Sequence, residues 1–270
     1  MLAFGMTGEH IMNSGFFDTG DGVRLHYLEG GQGRTIVFVP GWTMPAQIWE
    51  SQTRHFSSSY RVVSLDPRAQ GESGKPAVGN YPGRRARDIL ELIEHLHTDS
   101  VVAVGWSTGM TELLTYVDLF GTRYISAFVL VDTFIVKPPW FQREILQMAY
   151  QLEMNRAAAT EKFIRWMFRK PQADAHISSL VDASLKTPVD TAVALLASFL
   201  AQDDWRPTLK GLDKPVLYVA QGSLKSDAEI LKAIIPSARV EIFEDSGHAL
   251  FVEESSRFNS VVDLFLRDGS

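Results

Sequence analysis

Short hydrophobic runs alternate with amphipathic helical patterns through the first half of the chain. The run Thr35–Val39 contains four consecutive apolar residues, which is typical of a strand buried on both faces of a sheet. Val23–Leu28 alternates apolar and polar residues instead, which predicts a strand at the edge of the sheet. Similar runs predict further strands at Tyr60–Leu65, Ser100–Val104, Ala127–Val131, Pro215–Ala220 and Arg239–Phe243.

Helical patterns fill the spaces between several of these runs. In Pro82–Leu96 the apolar residues fall on one stripe and most charged residues lie elsewhere, which predicts an amphipathic helix. A last helix is predicted from about Glu253 to Leu266. Strands that alternate with helices predict an α/β fold with a mostly parallel central sheet flanked by helices.

Residues 134–213 break this alternation. No run in this segment resembles a strand, but helix formers and large apolar side chains are frequent: Trp140, Phe141, Met148, Phe163, Trp166, Met167 and Phe168. We therefore predict a core domain made of residues 1–133 and 214–270. A helical insertion at 134–213 is expected to pack over one end of the sheet as a cap or lid.

Composition excludes several classes of protein. The chain has 270 residues, and 26 Lys and Arg against 32 Asp and Glu give a net charge of −6, without the basic stripe of a nucleic-acid-binding protein. The absence of cysteine excludes disulfides, thiolate-bound metals and a thiol nucleophile. The apolar runs are too short to span a bilayer, and Met1–Glu9 lacks the features of a signal peptide. We expect a cytoplasmic protein without membrane insertion, either a monomer or a homodimer.

The strongest chemical signal is the sequence Gly105-Trp106-Ser107-Thr108-Gly109. It follows a predicted strand and precedes a helical pattern, which is the context of a G-x-S-x-G turn that carries a nucleophile. Such a turn is too tight for Cβ atoms at its two glycine positions. It raises the Ser107 hydroxyl above the sheet, at the positive end of a helix.

Two further segments supply the partners that a nucleophilic serine needs. Pro40-Gly41-Trp42-Thr43 follows the central strand, so the Trp42 N–H and the Thr108 N–H are candidates for binding an oxyanion. His248 lies on a glycine-containing loop after the last strand, where active sites of open α/β sheets form. A histidine there can act as the base that activates the serine.

Together these motifs, Asp66–Ser73 and the order of the strands resemble the α/β-hydrolase superfamily over most of the chain. The resemblance implies that residues 134–213 are the family's cap. It also implies a serine–acid–histidine triad in that chain order. The reaction implied is hydrolysis of an ester, thioester, lactone, amide or C–C bond through an acyl-enzyme.

The acid is the point at which the sequence departs from the family pattern. The usual aspartate is missing after the strand Pro215–Ala220, where the chain reads Gln221-Gly222-Ser223. Asp227 follows a few residues later but has the sequence context of a helix N-terminus. The superfamily has a second location after the preceding strand, which here ends at Asp132. We therefore predict Asp132 as the acid and keep Asp227 as the alternative.

The expected substrate is a small, moderately hydrophobic ester or lactone. Trp106, Trp140 and Trp166 are predicted to contact it, since they lie beside the motif or in the insertion. The sequence contains no motif for a nucleotide or zinc, so neither cofactor nor metal is expected. Three alternatives remain: an amide or C–C hydrolase, a cofactor-independent dioxygenase that uses His248 with Asp132, and a non-catalytic binding protein.

Overall fold

An eight-stranded sheet forms the centre of the computed structural model, which describes residues 12–202 and 204–268. The order across the sheet is β1-β2-β4-β3-β5-β6-β7-β8. The strands are β1 Asn13–Asp18, β2 Arg24–Gly30, β3 Thr35–Val39, β4 Arg61–Leu65, β5 Val101–Trp106, β6 Ile125–Val131, β7 Val216–Gln221 and β8 Arg239–Phe243. From β4 to β8 all neighbours are parallel, whereas β1–β2 and β2–β4 are antiparallel. The predicted α/β fold with a mostly parallel sheet is confirmed. The segment Met1–Glu9 lies outside the described residues.

The second strand is not at the edge of the sheet, contrary to the sequence prediction. β2 lies between β4 and β1, so β1 is the edge strand on this side of the sheet and β8 on the other. One of the polar residues that produce the alternation, His26, is itself buried between apolar neighbours. It is accommodated there because its Nδ1 lies 2.7 Å from Asp66 Oδ2 and its Nε2 lies 2.8 Å from Ser14 Oγ.

Helices cover both faces of the sheet. They are α1 Glu50–Phe56, α2 Pro82–His95, α3 Thr108–Phe120, α4 Pro139–Met154, α5 Arg156–Trp166, α6 Asp174–Leu185, α7 Val189–Ser198, α8 Arg206–Lys210, α9 Lys225–Ile234, α10 Leu250–Glu253 and α11 Ser255–Asp268. The helix predicted from about Glu253 to Leu266 corresponds to α11, and the short helix α10 precedes it, separated from it by Glu254.

Two apolar cores lie on opposite faces of the sheet. In β3, Val37 and Val39 belong to the core beneath α2 and α3, whereas Ile36 and Phe38 belong to the core beneath α11. All four side chains are fully buried. This confirms β3 as a strand buried on both faces, because successive side chains of a strand point in opposite directions.

Residues 134–213 contain helices α4 to α8, between the adjacent strands β6 and β7. A single antiparallel bridge between Val136 and Asp204 joins the two ends of this segment. Ile145, Leu152 and Leu195 pack in a third apolar cluster together with Trp42 of the core, so the insertion rests on the loop after β3. In the described part of the chain no single helix is long and apolar enough to cross a membrane; only the bent pair 174–185 and 189–201 meets that length and composition together.

Candidate active site

The predicted site residues lie at the carboxyl ends of parallel strands. Trp42 follows β3, Ser107 follows β5 and Asp132 follows β6, while His248 lies in the loop after β8. Ligands of open parallel sheets bind at this edge, because the loops that leave the strands there enclose a crevice.

Ser107 occupies a sharp turn between β5 and α3. Its backbone has φ 56° and ψ −118°, a conformation that residues with side chains rarely adopt, and its N–H donates to Val131 O at 3.0 Å. Two glycines make this turn possible. A Cβ on Gly105 would lie 2.7 Å from the carbonyl carbon of Gly109, and one on Gly109 would lie 2.2 Å from Val39 O. Backbone strain of this kind is found mainly at active sites.

Asp132 and His248 form a close pair. His248 Nδ1 and Asp132 Oδ2 are 2.6 Å apart, and the carboxylate is fully buried. Gln221 completes the environment of the carboxylate, because its backbone N–H donates to Oδ1 at 2.7 Å and its Nε2 donates to Oδ2 at 3.0 Å. With two donors from Gln221, the carboxylate has a fixed orientation, and it fixes the imidazole in turn.

Gln221 is a site residue that the sequence reasoning missed. It ends β7, next to the position where the family's usual aspartate is expected. A polar residue at the end of a core strand, directly before Gly222, was the available signal.

Asp227, the alternative acid, points elsewhere. It is buried near the start of α9, and its Oδ1 accepts hydrogen bonds from the N–H groups of Ile135 and Val136 at 2.7 and 3.2 Å. Burial raises the pKa of this carboxyl, although the two backbone donors lower it. Asp227 therefore anchors the chain after β6, and the structure brings Asp132, not Asp227, to His248.

Trp106 does not line the substrate cavity, contrary to the sequence prediction. Its side chain is fully buried beneath the site, where it packs edge-on against Phe251 with ring centres 5.0 Å apart. Its Nε1 donates to His248 O at 2.8 Å. Trp106 is the last residue of β5 and points into the sheet's core, so it supports the histidine loop from below.

Trp166 contacts the same histidine from above. Its ring centre lies 5.3 Å from that of His248, and the ring centre of Trp106 lies 5.0 Å away. The imidazole is thus in contact with two indole rings, one from the core and one from the insertion. The imidazole side chain is 11% exposed, on the side that lines the cavity.

The two predicted oxyanion donors lie beside Ser107. Thr108 is the first residue of α3, where backbone N–H groups have no partner inside the helix. Trp42 lies in the loop after β3, and a Cβ on its neighbour Gly41 would be 3.1 Å from Ser107 Cβ. The loop therefore approaches the serine closely because residue 41 has no side chain. Oxyanion binding by Trp42 and Thr108 stays a prediction.

The Ser107 hydroxyl faces the cavity without a partner. Among the described residues its Oγ forms no hydrogen bond, and both Ser107 and His248 line the same space. Contacts between a nucleophile and its base are often loose before substrate binds and tighten in the complex. Activation of Ser107 by His248 therefore stays a prediction.

A cavity of about 760 Å³ opens above Ser107 and His248. Its wall includes seven aromatic side chains: Trp42, Phe134, Trp140, Phe141, Phe163, Trp166 and Phe199. Besides Asp132, the charged residues on the wall are Glu144 and Lys162. Trp140 and Trp166 lie on this wall, and substrate contact by both stays a prediction. In the described residues no group of three or more histidine or acidic side chains is arranged to hold a metal ion.

Comparison with known proteins identifies the family. A family model described as the alpha/beta hydrolase family matches residues 36–261. A non-heme haloperoxidase of Rhodococcus erythropolis is 24% identical, over 93% of this chain and 98% of that protein. A pimeloyl-(acyl-carrier protein) methyl ester esterase of Vibrio cholerae is 27% identical, over 87% and 94% respectively. An esterase structure from Exiguobacterium antarcticum has the same fold, with a TM-score of 0.85 at 22% identity over 93% of this chain and 98% of its own.

The chain therefore belongs to the α/β hydrolase family, which confirms the resemblance inferred from its motifs.

Proposed function

We propose that the protein is a serine hydrolase that cleaves a carboxylic ester through an acyl-enzyme. Ser107 is the nucleophile, His248 the base, and Asp132 the acid that orients the base. The observation that carries the proposal is the 2.6 Å contact between His248 Nδ1 and Asp132 Oδ2, beside a serine on a strained turn. The esterase of Vibrio cholerae among its relatives supports this choice of bond.

The chemistry follows from the arrangement. Asp132 holds the proton of the neutral imidazole on Nδ1, so Nε2 is free to take the Ser107 proton as the hydroxyl attacks the ester carbonyl. The N–H groups of Trp42 and Thr108 stabilise the oxyanion of the tetrahedral intermediate. His248 then gives its proton to the leaving alcohol. A water molecule, activated in the same way, attacks the acyl-enzyme and releases the acid.

The cavity favours an apolar substrate of moderate size. Its volume of about 760 Å³ falls in the range of roughly 300–1,000 Å³ that drug-sized ligands occupy. Its aromatic wall excludes water from an acyl chain or an aromatic ring. A lactone contains the same bond and uses the same steps, so lactones belong to the proposed substrate class. Amide and C–C bonds can be hydrolysed through the same steps, but they are less reactive than esters.

Hydrolysis of a panel of p-nitrophenyl esters tests the proposal. We expect turnover of the butyrate ester by the wild type and a loss of at least about 10³-fold in Ser107→Ala, because the nucleophile is removed. Ser179→Ala is the matched control, because this serine is exposed on α6. Equal turnover by Ser107→Ala would contradict the proposal.

A cofactor-independent dioxygenase is the second candidate. The observation that favours it is the position of the acid: Asp132 follows β6 and lies 2.6 Å from His248 Nδ1. In that reaction the His248–Asp132 pair deprotonates a hydroxylated heteroaromatic ring, and Ser107 forms no covalent bond. Oxygen consumption with hydroxyquinolones that persists in Ser107→Ala would favour this candidate over the esterase.

A further inference from the structure

The loop of residues 40–45, here called the oxyanion loop, carries one of the two proposed oxyanion donors. From the core side, Gln70 Nε2 donates to Gly41 O at 3.0 Å and to Met44 O at 2.7 Å. Between these two residues Thr43 has φ 58°, which is unusual for a β-branched residue. A backbone in this conformation persists only where its surroundings hold it.

The helical insertion holds the same loop from the other side. Trp42 Nε1 donates to Ala192 O on α7 at 2.9 Å. The hydroxyl groups of Thr43 and Ser184, at the end of α6, are 2.7 Å apart. The Trp42, Thr43 and Ser184 side chains are all buried, so water does not compete for these hydrogen bonds. The partners lie more than a hundred residues apart in the chain, so the contacts exist only when the insertion is seated on the core.

Arg156 contacts both the oxyanion loop and the end of α6. Its guanidinium carbon lies 5.7 Å from the centre of the Trp42 ring, and its Nη2 donates to Ser184 O at 3.1 Å. Its buried Nε and Nη1 have no partner among the described residues, and burial lowers the pKa of the guanidinium. A partly buried cation without a carboxylate is unfavourable. Its position is therefore not explained by an ion pair. The contacts that hold it are those with the Trp42 ring and with the carbonyl of Ser184.

We propose that Ser184 and Arg156 are positioning residues that hold the Trp42 N–H at the oxyanion, so that the oxyanion hole is complete only with the insertion seated. This inference rests on the proposed function, since an oxyanion hole acts only where a tetrahedral intermediate forms. Donors must be aimed at the developing charge to stabilise the transition state. Displacing the loop therefore lowers kcat, whereas the affinity for the ground-state ester changes little.

The first test compares Ser184→Ala with the exposed control Ser179→Ala on p-nitrophenyl butyrate. We expect kcat of Ser184→Ala to fall about tenfold with KM within about twofold, a smaller loss than the 10²–10³-fold that follows deletion of a whole donor. Ser179→Ala should match the wild type. A role of Ser184 in packing alone would change the melting temperature and leave kcat of the folded protein unchanged, which would overturn the inference.

A double-mutant cycle adds a second readout. Thr43→Val and Ser184→Ala remove the same hydrogen bond, so the double variant should lose no more of kcat than the larger of the two single losses. Losses that multiply would overturn the coupling between the two hydroxyl groups.

Arg156→Met keeps the proposal testable if Ser184→Ala fails to fold, because Arg156 is only partly buried. Its control is Arg165→Met, which changes an exposed arginine on the same helix. A fall in kcat in Arg156→Met alone supports the inference, and wild-type kcat in both variants overturns it. The wild type separates the two claims: if it does not hydrolyse the ester, the proposed function fails, whereas an active wild type with equally active variants defeats only the inference.

Discussion

Asp132→Asn is the substitution that tests the proposed triad most sharply. The carboxylate accepts hydrogen bonds from the Gln221 N–H on Oδ1 and from Gln221 Nε2 on Oδ2, and Oδ2 also contacts His248 Nδ1. In asparagine one oxygen becomes an NH₂ group. The remaining oxygen stays with the backbone N–H of Gln221, because that donor cannot turn away. The NH₂ group therefore faces the imidazole.

This change forces the wrong tautomer on the histidine. An NH₂ group donates to Nδ1, so the proton of the neutral imidazole moves to Nε2, which can no longer take the Ser107 proton. Loss of the correct tautomer in trypsin-type serine proteases lowers kcat by about 10⁴, which corresponds to about 5.5 kcal/mol. We expect a loss of about 10³–10⁴ here, with a small change in melting temperature because the two side chains have the same shape.

Asp227→Asn is the matched control. Its amide oxygen can still accept from Ile135 N and Val136 N, and burial already raises the pKa of this carboxyl, so a neutral side chain is tolerated. We expect its kcat to stay within about threefold of the wild type. The assay is steady-state hydrolysis of p-nitrophenyl butyrate, with thermal melting to verify folding. If Asp227→Asn loses activity and Asp132→Asn keeps it, the assignment of the acid is refuted.

Three further predictions concern other parts of the structure. Gly109→Ala should lower the free energy of unfolding by about 3 kcal/mol, or about 6–10 °C in melting temperature, because its Cβ would lie 2.2 Å from Val39 O; an unchanged melting curve would contradict the geometry of the turn. The Arg68 guanidinium holds the pKa of Asp21 well below its usual range, so Asp21 stabilises the fold above about pH 4 and this contribution is lost as the pH falls. The difference in melting temperature between wild type and Asp21→Asn should therefore be larger at pH 7 than at pH 3, and the opposite trend would refute it. Trp106→Phe should lower kcat about fivefold, since a hydrogen bond of ~1 kcal/mol to the carbonyl of the histidine loop is lost; unchanged kcat would show that this bond does not position the loop.

The strands and the nucleophile turn could be predicted from the sequence because their signals are local. Consecutive β-branched and aromatic residues mark β3 and β5, and the glycines that flank Ser107 report a steric requirement within a few residues. Strand β1 was not predicted from the sequence. Its sequence, Asn13–Asp18, begins with polar residues and a glycine, and it is held in the sheet by pairing with β2.

The sequence reduced the candidates for the acid to two residues but did not decide between them. Both Asp132 and Asp227 lie near the carboxyl end of the sheet, and which one meets His248 depends on the loop that carries the histidine and on Gln221. The interpretation of Trp106 was wrong for a related reason. Its place beside Ser107 in the chain does not indicate where its side chain points, because neighbouring side chains at the end of a strand point to opposite sides of the sheet.

Contacts between the insertion and the oxyanion loop could not be predicted from the sequence. Ser184 and Ala192 have no distinctive residue pattern around them, and their partners in the loop lie more than a hundred residues away. Composition indicated that the insertion is helical and apolar. How its helices sit on the core is decided by packing, which a single sequence does not display.

Intact-mass spectrometry after incubation with a fluorophosphonate probe tests directly whether Ser107 is an activated nucleophile. We expect one covalent adduct on the wild type, located at Ser107 by peptide mapping, and no adduct on Ser107→Ala. Asp132→Asn should react much more slowly, because its histidine cannot take the serine proton. A folded wild type that forms no adduct, or an adduct that persists in Ser107→Ala, would contradict the assignment of Ser107 as an activated nucleophile.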